Sequence, residues 1–212
     1  MDRPAQGARA RGTLVLADIS GYTGFLQGVA DAHRDILIEV DEPPAAFGFV
    51  SSLLDGILAE LAPPFRLVKF EGDAVFAAAT DDELALRGVE VVGCLRACHA
   101  AFQTRLAEAK HVWTCECGSC SMIHDLGLKF VLHHGDYVIQ GVAGHEEMLG
   151  TDVNIAHRLL KNHVWETIGP RPYALLSDAT LDALGIPADA MIPMTETYDH
   201  IPPVPVHVLA LD

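Results

Sequence analysis

The first apolar run, TLVLADI at residues 13–19, shows no helical gaps and ends on an acid, a pattern that predicts a buried strand. SGYTGFLQGVADA behind it reads as a turn entering a helix. In PPAAFGFVSSLLDGILAELAPP, apolar Phe49, Leu53, Leu54, Ile57, Leu58 and Leu61 recur with the helical period between bounding prolines, which predicts a second helix. FRLVKFEGDAVFAAA is two apolar stretches about Gly72-Asp73, the composition of a tight hairpin. Residues 80–110 read as one long helix whose acidic first turn suits the positive end of the helix dipole. LGLKFVLHHGDYVIQGVAG, at 126–144, predicts two strands flanking a turn, and TDVNIAHRLLKNH a loop entering a helix. A strand YALLS, a helix DATLDALG, a Pro-rich loop and a last strand VPVHVLAL complete the chain. Hairpins require antiparallel pairs while helices intervene, so the expected class is α+β, a mostly antiparallel sheet with helices packed on one face.

Length and composition narrow this picture. A chain of 212 residues, half of them hydrophobic, can bury a full core. One domain over 13–212 is expected, preceded by a disordered basic arm at 1–12. The net charge of −15 repels phosphate backbones and anionic lipid, which argues against nucleic acid or a membrane surface as the main partner. No apolar run approaches the roughly 20 residues of a membrane span, and the first residues lack the apolar stretch of a signal peptide. A cytoplasmic chain is therefore expected. Cysteine usage agrees, because three of the five cysteines crowd into CECGSC, a spacing more suited to a metal than to disulfides.

Two acids stand at strand ends, Asp18 after LVLA and Asp73 in the hairpin turn. If their strands pair, both carboxylates reach one edge and can hold Mg²⁺, a hard cation that prefers oxygen and works with substrate phosphates. Taken singly, each is equally a turn former or a helix cap. Asn154 and Arg158, four apart, share a helical face, while Val153, Ala156, Leu159 and Leu160 can face the core. An amide donor beside a guanidinium suits a transferring phosphoryl group, although the same pair also suits a solvated face.

Together, LVLADISGYTGFL, KFEGDAVFAAA, FVLHHGDYVIQGVAG and LGTDVNIAHRLL resemble, in order and approximate spacing, the homology segments of class III nucleotide cyclases. With its Cys-rich insertion, the chain is most similar to a bacterial cyclase-like branch known mainly as a domain of unknown function. The resemblance implies a ferredoxin-like βααβ core and a homodimer. Its reaction would convert a purine nucleoside triphosphate, ATP more than GTP, to a 3′,5′-cyclic nucleotide. It implies Asp18 and Asp73 as ligands of two Mg²⁺ or Mn²⁺ ions, with the Ile19 carbonyl as a further ligand. Lys69 and Glu147 fall on base-reading positions, Lys129 on a phosphate-contacting one, and Asn154 and Arg158 on the catalytic pair that orients ribose and stabilises the transition state.

Three positions depart from the family pattern. Glu147 stands where an aspartate is usual, Glu71 where the residue is usually uncharged, and no Lys or Arg follows Arg171 to hold a triphosphate. The alternative they leave is a nucleotide-binding regulatory domain with weak or no catalysis, and a third reading is a scaffold.

In HVWTCECGSCSMIH, Cys115, Cys117 and Cys120 offer three tetrahedral zinc ligands within one loop. His111, His124 or a residue from elsewhere would complete a structural site in an insertion spanning about 111–124. Free thiols or a redox role are the alternatives. Cys94 and Cys98 read as core residues, His133 and His134 as buried hydrogen-bonded histidines, and Trp113 and Trp165 as packing residues.

Overall fold

The computed structural model describes residues 7–34, 45–84, 88–112 and 117–212. Its strands are β1 (Ala8–Ser20), β2 (Arg66–Glu71), β3 (Ala74–Thr80), β4 (Gly127–Val142), β5 (His145–Leu149), β6 (Tyr173–Ser177), β7 (Ile192–Tyr198) and β8 (Ile201–Ala210). They form one sheet in the order β2-β3-β1-β4-β6-β8-β7, with β5 paired to β4. The β4–β6 pair is parallel and the other pairs are antiparallel. The expected α+β class with a mostly antiparallel sheet is what forms.

TLVLADI is apolar throughout because β1 is covered on both faces. Its alternate residues Val15, Ala17 and Ile19 join one core, and Leu14 and Leu16 the other. The first face carries α1 (Tyr22–Ala32) through Phe25 and Val29, and α2 (Ala45–Leu61) through Leu53, Ile57 and Leu61. The helices α3 (Asp81–Leu84) and α4 (Gly88–Val112) follow, and α4 adds Leu95, Cys98 and Phe102 to the same core. After the short α5 (Gly118–Ser121), α6 (Thr151–Leu159) covers the opposite face with Val153, Ala156 and Leu159, joined by Val164 of α7 (Val164–Ile168). The helices thus occupy both faces rather than the single face expected, with the larger layer on the first, because α6 and α7 bury their apolar residues on the second. The last helix, α8 (Asp178–Leu184), packs on the first face through Leu181. Each large apolar side chain so buried contributes about 1.5–3 kcal/mol.

Four boundaries differ from expectation. The strand β1 starts at Ala8, inside the expected disordered arm, because β4 extends far enough to pair with it, and Arg11 meets Asp136 at 3.3 Å there. Residues 1–6 lie outside the described residues. The stretch expected as two strands about a turn is the single strand β4, since Gly135 pairs in register with Gly12 rather than turning. Within the expected Pro-rich loop, β7 forms, and β8 starts at Ile201. The prolines at 202, 203 and 205 fall before Val206, where pairing with β6 begins, so they cost the doubly paired segment 206–208 no hydrogen bond. Finally, the expected long helix divides into α3 and α4, with 85–87 outside the described residues. Among the described residues, no helix is long and apolar enough to cross a membrane.

Candidate active site

Residue Asp18 is the last but two of β1, and register places it opposite Ala74, beside the β2–β3 turn. That turn is the two-residue loop Gly72-Asp73, in which Gly72 takes φ of +67°, a conformation costly for any residue with a Cβ. The Ile19 N–H donates to the Asp73 carbonyl at 3.2 Å and fixes the turn against the end of β1. Both carboxylates therefore occupy one corner of the sheet. Burial, and then the negative charge of Asp18, hold the Asp73 pKa above the ordinary carboxylate range. Lys129, opposite Asp18 on β4, places Nζ 3.0 Å from its Oδ2 and donates to the Leu160 carbonyl at 3.3 Å. An internal ammonium thus partly neutralises the two acids. A cavity of about 490 Å³ opens beside Ser20, Gly21 and Lys129.

The second cluster lies on β2 and β5. Lys69 Nζ donates to Glu147 Oε2 at 2.9 Å, and Glu71 Oε1 is 3.4 Å away on its other side. The Glu147 hydrogen bond is the main reason that the Lys69 pKa lies above its ordinary value. Glu71 also faces Nε2 of His157, at 3.0 and 3.1 Å, while His157 Nδ1 donates to the Val153 carbonyl. The His157 ring meets Phe76 edge-on, with centroids 5.0 Å apart. Glu71, without a partner in the sequence reading, thus ties β2 to α6 and balances Lys69.

On α6, Asn154 and Arg158 are exposed on the face opposite Val153, Ala156 and Leu159. The helix is anchored at its start by Asp152, whose Oδ2 accepts from the Asp136 N–H at 2.7 Å and whose Oδ1 accepts from His133 Nε2 at 3.2 Å. On its other side, His133 Nδ1 meets Ser177 Oγ at 2.9 Å. A neutral ring protonated at Nε2 satisfies both contacts, and burial holds the His133 pKa below normal. Gly135 is required here, because a Cβ at that position would lie 2.2 Å from Asp152 Cγ. His157, Asp152 and Gly135 escaped the sequence reading. Only the HHG stretch before Asp136 hinted at this anchor, since the partners come from another element.

Sequence-expected residues thus fall into three groups: Asp18, Ile19, Asp73 and Lys129 at the corner, Lys69 and Glu147 on the sheet edge, and Asn154 and Arg158 on α6. The buried, bonded state expected of His133 and His134 is found, with His134 held by Thr13 and Arg11 at 3.2 Å each. Buried Cys98 and half-buried Cys94 donate to helix carbonyls of α2. Trp165, expected to pack, is instead 64% exposed, because α7 is a single short turn with only Val164 buried. In the Cys-rich insertion, Cys117 and Cys120 meet His33 of the α1 terminus, while His124 is exposed and lines the cavity. Trp113, Cys115 and the His111 side chain lie outside the described residues.

A family model described as "Protein of unknown function (DUF2652)" matches residues 50–167. "Uncharacterized protein Rv2561/Rv2562" of Mycobacterium tuberculosis is 29% identical over 163 residues, 76% of this chain and 73% of that protein. Among solved structures, the adenylyl cyclase CyaB from P. aeruginosa aligns with a TM-score of 0.65 at 17% identity, covering 98% of this chain and 97% of that one. A class III adenylyl cyclase-like ATP-binding protein from Pseudomonas aeruginosa aligns at 0.58 and 19% identity, over 85% of this chain and 36% of that one. At these identities the likeness is one of fold.

Proposed function

The chain belongs to the DUF2652 family and has the class III nucleotide cyclase fold, and from that premise we propose that it cyclises a purine nucleoside triphosphate, ATP more than GTP, at a homodimer interface. The products are a 3′,5′-cyclic nucleotide and pyrophosphate. The observation that carries this reading is the corner at the end of β1, where Asp18 stands beside the Gly72-Asp73 turn that the Ile19 N–H holds at 3.2 Å, and Lys129 Nζ lies 3.0 Å from Asp18 as counter-cation. Two carboxylates and the Ile19 carbonyl form an all-oxygen donor set that fits two Mg²⁺ or Mn²⁺ ions. When bound, such ions supply charge neutralisation of the triphosphate and acidification of the ribose 3′-hydroxyl.

The side chains of the protein supply recognition and positioning. Lys69 as donor and Glu147 as acceptor present a complementary pair to the ring nitrogen and amino group on the edge of adenine. Lys129, released from Asp18, contacts phosphate. Asn154 orients the ribose, and Arg158 meets the charge on the transferring phosphoryl group. Their exposure on α6 leaves them open to the Asp18–Asp73 corner of a second subunit.

A second reading is a domain that binds nucleotide and regulates without turnover. It is favoured by the pairing of Lys69 with both Glu147 and Glu71, which a base must displace, and by the lack of any Lys or Arg after Arg171. Incubation of the purified chain with ATP and Mn²⁺, followed by quantification of cyclic AMP, separates the two. The first reading expects product that is lost in Asp73→Ala, and activity surviving that substitution removes the metal assignment. If no product forms while ATP raises the melting temperature, the regulatory reading stands.

A further inference from the structure

The insertion between α4 and β4 meets the end of α1 at a cluster of metal-ligating atoms. His33 caps the C-terminus of α1, and its Nε2 lies 3.4 Å from Cys120 Sγ and 3.4 Å from Cys117 Sγ. All three ligand atoms lie within 4.8 Å of one another. Tetrahedral zinc with Zn–S near 2.3 Å and Zn–N near 2.0 Å places neighbouring sulfur and nitrogen ligands about 3.5 Å apart. The two observed distances therefore match two edges of such a tetrahedron. Cys117 directly precedes α5 and Cys120 lies within it, in the C-x-x-C spacing, and the Cys120 N–H points at Cys117 Sγ at 3.3 Å, a bond that favours a thiolate. Cys120 is 3% exposed, whereas His33 and Cys117 are half-buried, so the cluster closes toward the core.

We propose that His33, Cys117 and Cys120 supply three of the four ligands of a structural Zn²⁺ that clasps the C-terminus of α1 to the Cys-rich insertion. Imidazole with two thiolates is a donor set that selects zinc over the hard cations suited to Asp18 and Asp73. The histidine ligand is thus His33, outside the insertion and about 80 residues upstream of the cysteines, rather than His124, which faces the cavity on the 3₁₀ turn Met122–Asp125. The clasp has a structural consequence for the active corner. Helix α1 starts two residues after Ser20, the last residue of the strand carrying Asp18, and the insertion leads directly into β4, which carries Lys129. Holding the far end of α1 to the insertion therefore braces both strands that supply this corner. The inference is independent of whether the domain turns nucleotide over.

The test uses the full chain purified without a metal-binding tag. Elemental analysis is expected to find about one zinc per chain, released when the thiols are modified with an organomercurial. Cobalt substitution is expected to give thiolate-to-metal charge-transfer absorption and intense tetrahedral ligand-field bands. His33→Ala and Cys120→Ser should each lower bound zinc below half an equivalent, with His124→Ala unchanged. Should those variants fail to fold, His33→Cys provides the second measure, retaining the metal and adding thiolate charge-transfer intensity. A wild-type chain with less than half an equivalent and no cobalt–thiolate absorption would overturn the proposal. Full zinc retention by His33→Ala would do the same, as would a His33→Cys cobalt spectrum identical to that of the wild type.

Discussion

Gly135→Ala should destabilise the protein by driving Asp152 away from its two donors. An ideal Cβ at position 135 falls 2.2 Å from Asp152 Cγ and 2.3 Å from Oδ2, where ordinary contact begins at 3.4 Å. The carboxylate must retreat by roughly 1 Å, which breaks the 2.7 Å bond from the Asp136 N–H and strains the 3.2 Å bond from buried His133. A hydrogen bond to a charged acceptor contributes about 1.5–3 kcal/mol, and a buried donor left unpaired adds to the loss. The expected cost is therefore on the order of 3 kcal/mol. In a domain of this size each kcal/mol shifts Tm by about 2–4 °C, which predicts a fall of roughly 6–12 °C. Gly93→Ala is the matched control, since its Cβ meets nothing within 4 Å in the interior of α4. It should gain about 0.5–1 kcal/mol from helix propensity. Thermal melts of both variants against wild type make the measurement. If Gly135→Ala melts within about 2 °C of wild type, the anchoring of α6 through Asp152 is wrong. Because α6 carries Asn154 and Arg158, a 1 Å displacement should also lower any turnover by about 100-fold.

Lys129→Ala removes the ammonium 3.0 Å from Asp18 and should tighten Mn²⁺ binding several-fold while weakening ATP, as read by titration calorimetry; parallel changes in both would contradict its dual placement. Glu71→Gln removes a carboxylate that competes for Lys69 and should raise ATP affinity several-fold, with a stability cost of only about 0.5 kcal/mol because the group is partly exposed. Lower ATP affinity in that variant would count against the assignment of Lys69 to the base. Burial holds His133 and His134 below the ordinary histidine pKa, so below about pH 6.5 the unfolded chain binds more protons than the folded one. Stability contributed by these neutral rings is present above that pH and lost as pH falls. Exposed His163, raised by its hydrogen bond to Glu196, works in the opposite sense, one surface ring against two buried ones. Tm should fall between pH 7.5 and 5.5, and a flat profile would refute this balance.

The hydrophobic pattern by itself determined most elements, because period reports how many faces of a segment are buried. TLVLADI is apolar at every position since helices cover both faces of β1, and the period of Phe49 to Leu61 gives α2 directly. Motif spacing located Asp18, Asp73, Asn154 and Arg158, because each stands at a strand end, a turn or a helix face that local sequence specifies. Period could not distinguish a strand that continues through Gly135 from two strands about a turn, since extended backbone at a glycine is decided by the neighbouring strand. Nor could it supply the partners of Glu71 and Cys117, His157 and His33, which lie 86 and 84 residues away. Those contacts depend on strand order and on which helix end meets which loop, and local periodicity carries no record of either. The sequence alone thus determined most elements and which motif residues are candidates for chemistry, and the tertiary structure decided which side chains meet, His33, Asp152 and His157 among them.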